Sequence, residues 1–114
     1  MKKIISHRGN IVGPDSANEN KPWFIDQAIN KGFDVEIDFW AVNGTCFLGH
    51  DNPETKISFN FLSDRADYLW CHAKDIVSLK FLLQKEIHCF YHDSDAVTLT
   101  SRGYMWTYPG GKLT

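Results

Sequence analysis

The chain has little with which to staple itself. Its three cysteines, Cys46, Cys71 and Cys89, are odd in number and spaced too widely for a zinc knuckle or a redox pair. Each sits in an apolar, strand-like setting, which reads as three buried free thiols in a reducing cytoplasm. Lys and Arg are scattered and the net charge is −2, so the basic stripe that nucleic-acid binding requires is missing. No apolar run reaches membrane-spanning length. The opening MKKIISHRG has two lysines but lacks the apolar stretch of a signal peptide. Low-complexity tracts and internal repeats are absent too. The expectation is a cytoplasmic protein without nucleic-acid partners and without a membrane span.

What is present suits one core. With 114 residues, 43% of them hydrophobic and 14% aromatic, the chain can bury enough apolar surface to fold unaided, as a single domain over 1–114. Lys3 to Ser6 read as a strand and 10–22 as a loop. PWFIDQAIN is a helix with Asn20 as N-cap and Gly32 as its stop. FDVEIDFW is a strand, and Asn43-Gly44 turns it back through CFLGHD. Ser58 caps a short helix, DYLWCHAK is a strand, and Asp75 caps IVSLKFLLQK with Ile76, Leu79 and Leu83 along one face. IHCFYH is a further strand, DSDAVTLTSRG a loop and YMWTYP a last strand. The four tryptophans read mainly as core. Strands alternating with helices imply mostly parallel pairing.

The segment FDVEIDFW raises the chemical question. Apolar residues mark it as buried, yet Asp34, Glu36 and Asp38 occupy alternate positions and so share one face. Such a row repels itself unless something positive lies against it. Ionisable residues also gather where the strands end, at His7-Arg8, Glu36 with Asp38, His50-Asp51, His72 with Lys74, and His92-Asp93, and in parallel folds those ends meet on one rim. A divalent cation on Glu36 and Asp38 is the simplest positive partner. His7 and His50 could move a proton at each end of a phosphodiester, with Arg8 gripping the phosphate oxygens. Asp34 reads as structural, and His92 as a rim residue or part of a capped loop.

SHRG, then NEN before a helix, GFDVEIDFW and LGHD together resemble the glycerophosphodiester phosphodiesterases, within the phospholipase C-like phosphodiesterases, over roughly residues 4 to 51. The resemblance implies an acid/base pair on His7 and His50, a divalent metal (Mg²⁺ or Ca²⁺) on Glu36 and Asp38, phosphate held by Arg8, and Glu19 near the metal. It implies a small phosphodiester as substrate. It also implies a TIM barrel, for which 114 residues are too few. The expected fold is therefore α/β, a truncated or partial TIM-barrel-like arrangement of mostly parallel strands alternating with helices, with one β-hairpin near residues 34–50.

Two departures from the family pattern stand out. CHAK keeps Lys74 for phosphate but puts His72 where the family has a glutamate. As a ligand, His72 would shift preference toward Mn²⁺ or Zn²⁺; it could equally be structural and the site weakened. The chain is also short, leaving sheet edges that a homo-oligomer would cover. Beside the enzyme stands the alternative of a non-catalytic module that binds a phosphorylated ligand or is completed by a partner chain.

Overall fold

The computed structural model describes residues 4–13, 15–91 and 97–107. Its order is β1 (Ile5–His7), α1 (Pro22–Asn30), β2 (Asp34–Val42), β3 (Thr45–Leu48), β4 (Thr55–Ile57), α2 (Phe59–Asp64), β5 (Leu69–Ala73), α3 (Ile76–Gln84), β6 (Cys89–Phe90), β7 (Val97–Leu99) and β8 (Met105–Thr107). The first six strands form one sheet in the order β4-β3-β2-β5-β6, with β1 also paired to β2; β7 and β8 make a separate two-stranded sheet.

A truncated barrel of mostly parallel strands is not what forms. β1–β2, β2–β5 and β5–β6 are parallel, but β2–β3, β3–β4 and β7–β8 are antiparallel, so the sheet is mixed. The reason is local. Asn43 and Gly44 both take positive φ (51° and 79°), the turn that sends a strand straight back on its neighbour. The returning β3 is then extended by β4, a strand the sequence reading passed over between Asp51 and Ser58. The segment read as a loop before Gly103 likewise contains β7, paired with β8.

One edge of β2 is divided between two partners. β1 pairs with its first part, Ile5↔Asp34 to His7↔Glu36, whereas β3 pairs with its last part, Phe39↔Leu48 to Val42↔Thr45. The opposite edge carries β5, from Val35↔Leu69 to Phe39↔Ala73. Because β2 runs on to Val42, Glu36 and Asp38 lie mid-strand rather than at a C-terminal rim.

The other face of β2 makes the core. Val35, Ile37 and Phe39, all fully buried, pack with Ile25 and Ala28 of α1, Leu62 of α2 and Leu82 of α3. Each of these side chains larger than alanine contributes roughly 1.5–3 kcal/mol by leaving water. α1 keeps the expected bounds, but its N-cap is Lys21, which makes no side-chain cap bond. The caps at Ser58 and Asp75 form as read, accepting from the backbone N–H of Phe61 (3.3 Å) and Ser78 (2.8 Å). On α3 the buried positions are Ser78 and Leu82, while Ile76 and Leu83 are half exposed. The helix is turned so that Ser78 Oγ accepts the Ala41 N–H at 2.8 Å, beyond the end of β5.

All three cysteines are free and buried, and burial pushes their thiols up. Of the tryptophans, Trp70 is buried but Trp23 is 56% exposed; the Trp106 side chain lies outside what is described. The outer side of β6 is met by Ser101, whose N–H donates to the Cys89 carbonyl (2.7 Å) and whose Oγ accepts the Cys89 N–H (2.8 Å). Among the described residues no helix is long and apolar enough to cross a membrane.

Candidate functional site

The division of β2 builds the site. Where β1 stops pairing, Arg8 N–H still donates to the Glu36 carbonyl (2.7 Å); just past the end of β3, Gly49 N–H donates to the Asp38 carbonyl (3.1 Å). Between them the Asp38 N–H would be left bare. Asn20 fills the place, its Oδ1 accepting that N–H at 2.9 Å while its Nδ2 donates to Asp38 Oδ2 at 3.0 Å. To do so it takes φ +61°, a left-handed conformation that Asn tolerates better than most residues. Asn20 is thus a site residue and not the helix cap expected of it.

Arg8, Gly9 and Gly49 set the chain around this point. Arg8 sits at φ +57° and Gly9 at +90°, a tight turn closed by Asn10 N–H on the His7 carbonyl (3.0 Å). A left-handed non-glycine residue costs of the order of 1 kcal/mol or more, strain that persists where surrounding structure holds it. A Cβ on Gly49 would overlap the Asn52 carbonyl, so only glycine lets loop 49–54 fold back beneath His50.

The side chains expected from the sequence do come together. Asp38, fully buried, is the hub. Arg8 Nε is 2.8 Å from its Oδ2 and His50 Nδ1 3.4 Å; His72 Nδ1 is 3.2 Å from its Oδ1 and Lys74 Nζ 3.8 Å. Glu36, 1% exposed, lies beside it, with His7 Nε2 3.5 Å from Oε1 and His72 Nδ1 3.9 Å from Oε2. Glu19 holds the far side of Arg8, Oε1 to Nη1 at 3.1 Å, and accepts from Asn10 Nδ2 at 2.8 Å. It therefore steadies the guanidinium rather than facing the carboxylate pair. Asp34 is structural, accepting the Trp70 indole N–H at 3.0 Å. His92 lies outside the described residues.

Electrostatics separates the two carboxylates. Burial pushes Glu36 well above the usual carboxylate range, and the neighbouring Asp38 charge pushes it further. Burial acts on Asp38 in the same sense, but hydrogen bonds from His72 and Asn20 and the charges of Arg8 and Lys74 outweigh it, holding Asp38 below the ordinary value. Burial, followed by the Arg8 charge, lowers His7 to about 4, so its imidazole is neutral at neutral pH.

Five buried side-chain polar atoms among the described residues have no hydrogen-bond partner, and three belong here: Glu36 Oε1, His50 Nδ1 and Arg8 Nε. Each is held instead by an ion-pair contact, Arg8 Nε and His50 Nδ1 on Asp38 Oδ2 and Glu36 Oε1 on His7 Nε2. Glu36, Asp38 and His72 each offer one ligand atom, all within 4.8 Å of one another. Two carboxylates and an imidazole are donors of the kind that divalent ions take. Beside them a cleft of ≈ 180 Å³ opens to solvent, lined by Arg8, Glu19, Asn20, Lys21, His50 and Thr55 among others.

No protein-family model, curated protein or solved structure matches this chain.

Proposed function

We propose that the protein is a metal-dependent phosphodiesterase acting on a small glycerophosphodiester-like substrate with two histidines as acid and base. What carries the reading is the convergence of His7, Arg8, His50, His72 and Lys74 on one buried carboxylate pair, Glu36 and Asp38. The ordered resemblance of SHRG, NEN, DVEID and LGHD to the glycerophosphodiester phosphodiesterases supports the same chemistry. It concerns residues 4 to 51 and not the fold.

Glu36, Asp38 and His72 would hold the metal, which supplies positive charge against the phosphate oxygens. Arg8 and Lys74, both beside Asp38, bring further positive charge to the same oxygens. His7, neutral through burial, takes the proton from the attacking hydroxyl as its oxygen bonds to phosphorus. His50, 42% exposed at the cleft, gives a proton to the departing alkoxide as the second P–O bond breaks. By analogy with the family the first nucleophile is a neighbouring hydroxyl of the substrate, and water then opens the cyclic phosphate with the two histidines exchanging roles.

The test is hydrolysis of a generic phosphodiester with Mg²⁺, Mn²⁺, Ca²⁺ and Zn²⁺ supplied separately. Turnover abolished by chelator and by Glu36→Ala, and lowered about 10²–10⁴-fold by His7→Ala or His50→Ala, is expected. A second reading, a phosphate-binding module without catalysis, draws on Arg8 and Lys74 converging on one buried acid. Metal-dependent phosphate binding with no turnover in any metal would establish that reading instead.

A further inference from the structure

The cleft beside the carboxylate cluster has walls drawn from two separate parts of the chain. Arg8 and His50 line it and His7 does not, so it lies with the histidine that serves the departing alcohol. One wall ends at Lys21, which Pro22 holds extended (φ −97°, ψ 138°) at the start of α1. The other ends at Thr55, the first residue of β4. Lys21 Nζ donates to Thr55 Oγ1 at 3.1 Å and joins the two.

Lys21 brings a charge that the cleft does not answer. Among the described residues, that neutral hydroxyl is the one partner of its ammonium. Three carboxylates line the same cleft, and each is engaged or turned to water. Both oxygens of Glu19 are taken, Oε1 by Arg8 Nη1 at 3.1 Å and Oε2 by Asn10 Nδ2 at 2.8 Å. The Asp51 side chain is 82% exposed, with His50 Nε2 3.8 Å away, and Glu54 is exposed. Hydrogen bonds between ionised partners are roughly twice as strong as neutral ones, so an oxyanion entering the cleft displaces Thr55 as the ammonium's acceptor. The Thr55 hydroxyl, no longer accepting, can then turn and donate to the same oxyanion. At ≈ 180 Å³ the space is smaller than the ~300–1,000 Å³ of sites for drug-sized ligands, and it suits a short alcohol rather than an acyl chain.

We infer that this cleft is the subsite for the departing alcohol, that Lys21 and Thr55 bind an oxyanion on it, and that the substrates are diesters whose short alcohol bears a carboxylate or a second phosphate. The inference rests on the proposed phosphodiesterase reading and specifies its substrate. Lys21 selects the alcohol by charge and takes no part in the proton transfers.

Two measurements on the full chain test it, with Mg²⁺, Mn²⁺, Ca²⁺ and Zn²⁺ supplied in turn. The first is calorimetric binding of phosphoglycolate and of ethylene glycol bisphosphate against ethyl phosphate, which lacks the second anion. At least one anionic probe should bind about 10–100-fold tighter than ethyl phosphate, and which one does so tells carboxylate from phosphate. Lys21→Met should remove most of that difference and Thr55→Val part of it. The second is kcat/KM for glycerol phosphodiesters of glycolate, of ethylene glycol monophosphate and of ethanol, where the same order should appear and Lys21→Met should lower it through KM. Should Lys21→Met fail to fold, Thr55→Val, which keeps the charge, must still lower the preference. Ethyl phosphate binding as tightly as both anionic probes, no binding of any probe, or a preference that survives Lys21→Met overturns the inference. The two readings fail separately. Anion preference in binding with no hydrolysis of any diester removes the activity and keeps the subsite, whereas hydrolysis indifferent to charge on the alcohol does the reverse.

Discussion

Glu36→Gln should stabilise the metal-free protein at alkaline pH while abolishing its response to metal. Glu36 is buried, and Asp38 is the acid beside it. Burial first, and Asp38 second, raise its pKa well above the ordinary value. Over that interval the folded chain keeps a proton that the unfolded chain releases, so stability falls as pH rises. A full one-proton difference is worth about 1.4 kcal/mol per pH unit, which sets a ceiling of about 3 kcal/mol between pH 6 and pH 8. Gln carries a permanent N–H donor where Glu36 must be protonated to donate to Asp38, so this slope disappears. At about 2.1 cal/mol/K per residue, 114 residues convert 1 kcal/mol into about 4 °C. In chelator the variant should melt about 4–8 °C above the parent at pH 8, converging with it near pH 5. Circular dichroism melts at four pH values measure this, and added Mn²⁺ or Zn²⁺ should raise the parent's midpoint alone. A variant that melts at or below the parent at pH 8, with the parent's pH slope intact, refutes the description of Glu36 as a buried acid that keeps its proton on folding.

Two further outcomes follow from the same site. Asn20→Ala removes both the acceptor for the Asp38 N–H and the donor to its carboxylate; a loss of about 1–3 kcal/mol by denaturant titration is expected, together with weaker metal binding. His7, lowered to about 4 by burial and by Arg8, should place the acidic limb of kcat/KM near pH 4 rather than near its ordinary 6.5. The unfolded chain takes up that proton first on acidification, so His7 also withdraws stability as pH falls from 6.5 to about 4.

What could be read from the sequence was whatever local chemistry decides. Ser58 and Asp75 announce helix starts because their side chains reach a backbone N–H three residues on, and α1 ends at Gly32 because its φ of +94° suits glycine. Alternation in DVEID put Glu36 and Asp38 on one face, and register then brought His7 and His72 opposite them. The sheet's connectivity was misread from the same residues. Asn43-Gly44 was recognised as a hairpin, but β4 holds three residues with no periodicity to betray it, and the mixed sheet follows from these two strands. Asn20 was misread because an Asn before a helix has an obvious local duty, whereas its partner lies 18 residues away. Ser78 is similar: a small polar residue in a helix gives no sign that it will complete a strand 37 residues earlier.

The shared edge of β2 has a consequence for how such a protein can change. Segments 4–8 and 45–51 approach the same acids from separate stretches of chain, with the amide of Asn20 on Asp38 between them. Lengthening or trimming the 52–54 connection alters the cleft wall near His50 but leaves the strand carrying the acids unaltered. Reach and selectivity toward different molecules can therefore drift on one bank while the charge-bearing bank stays put.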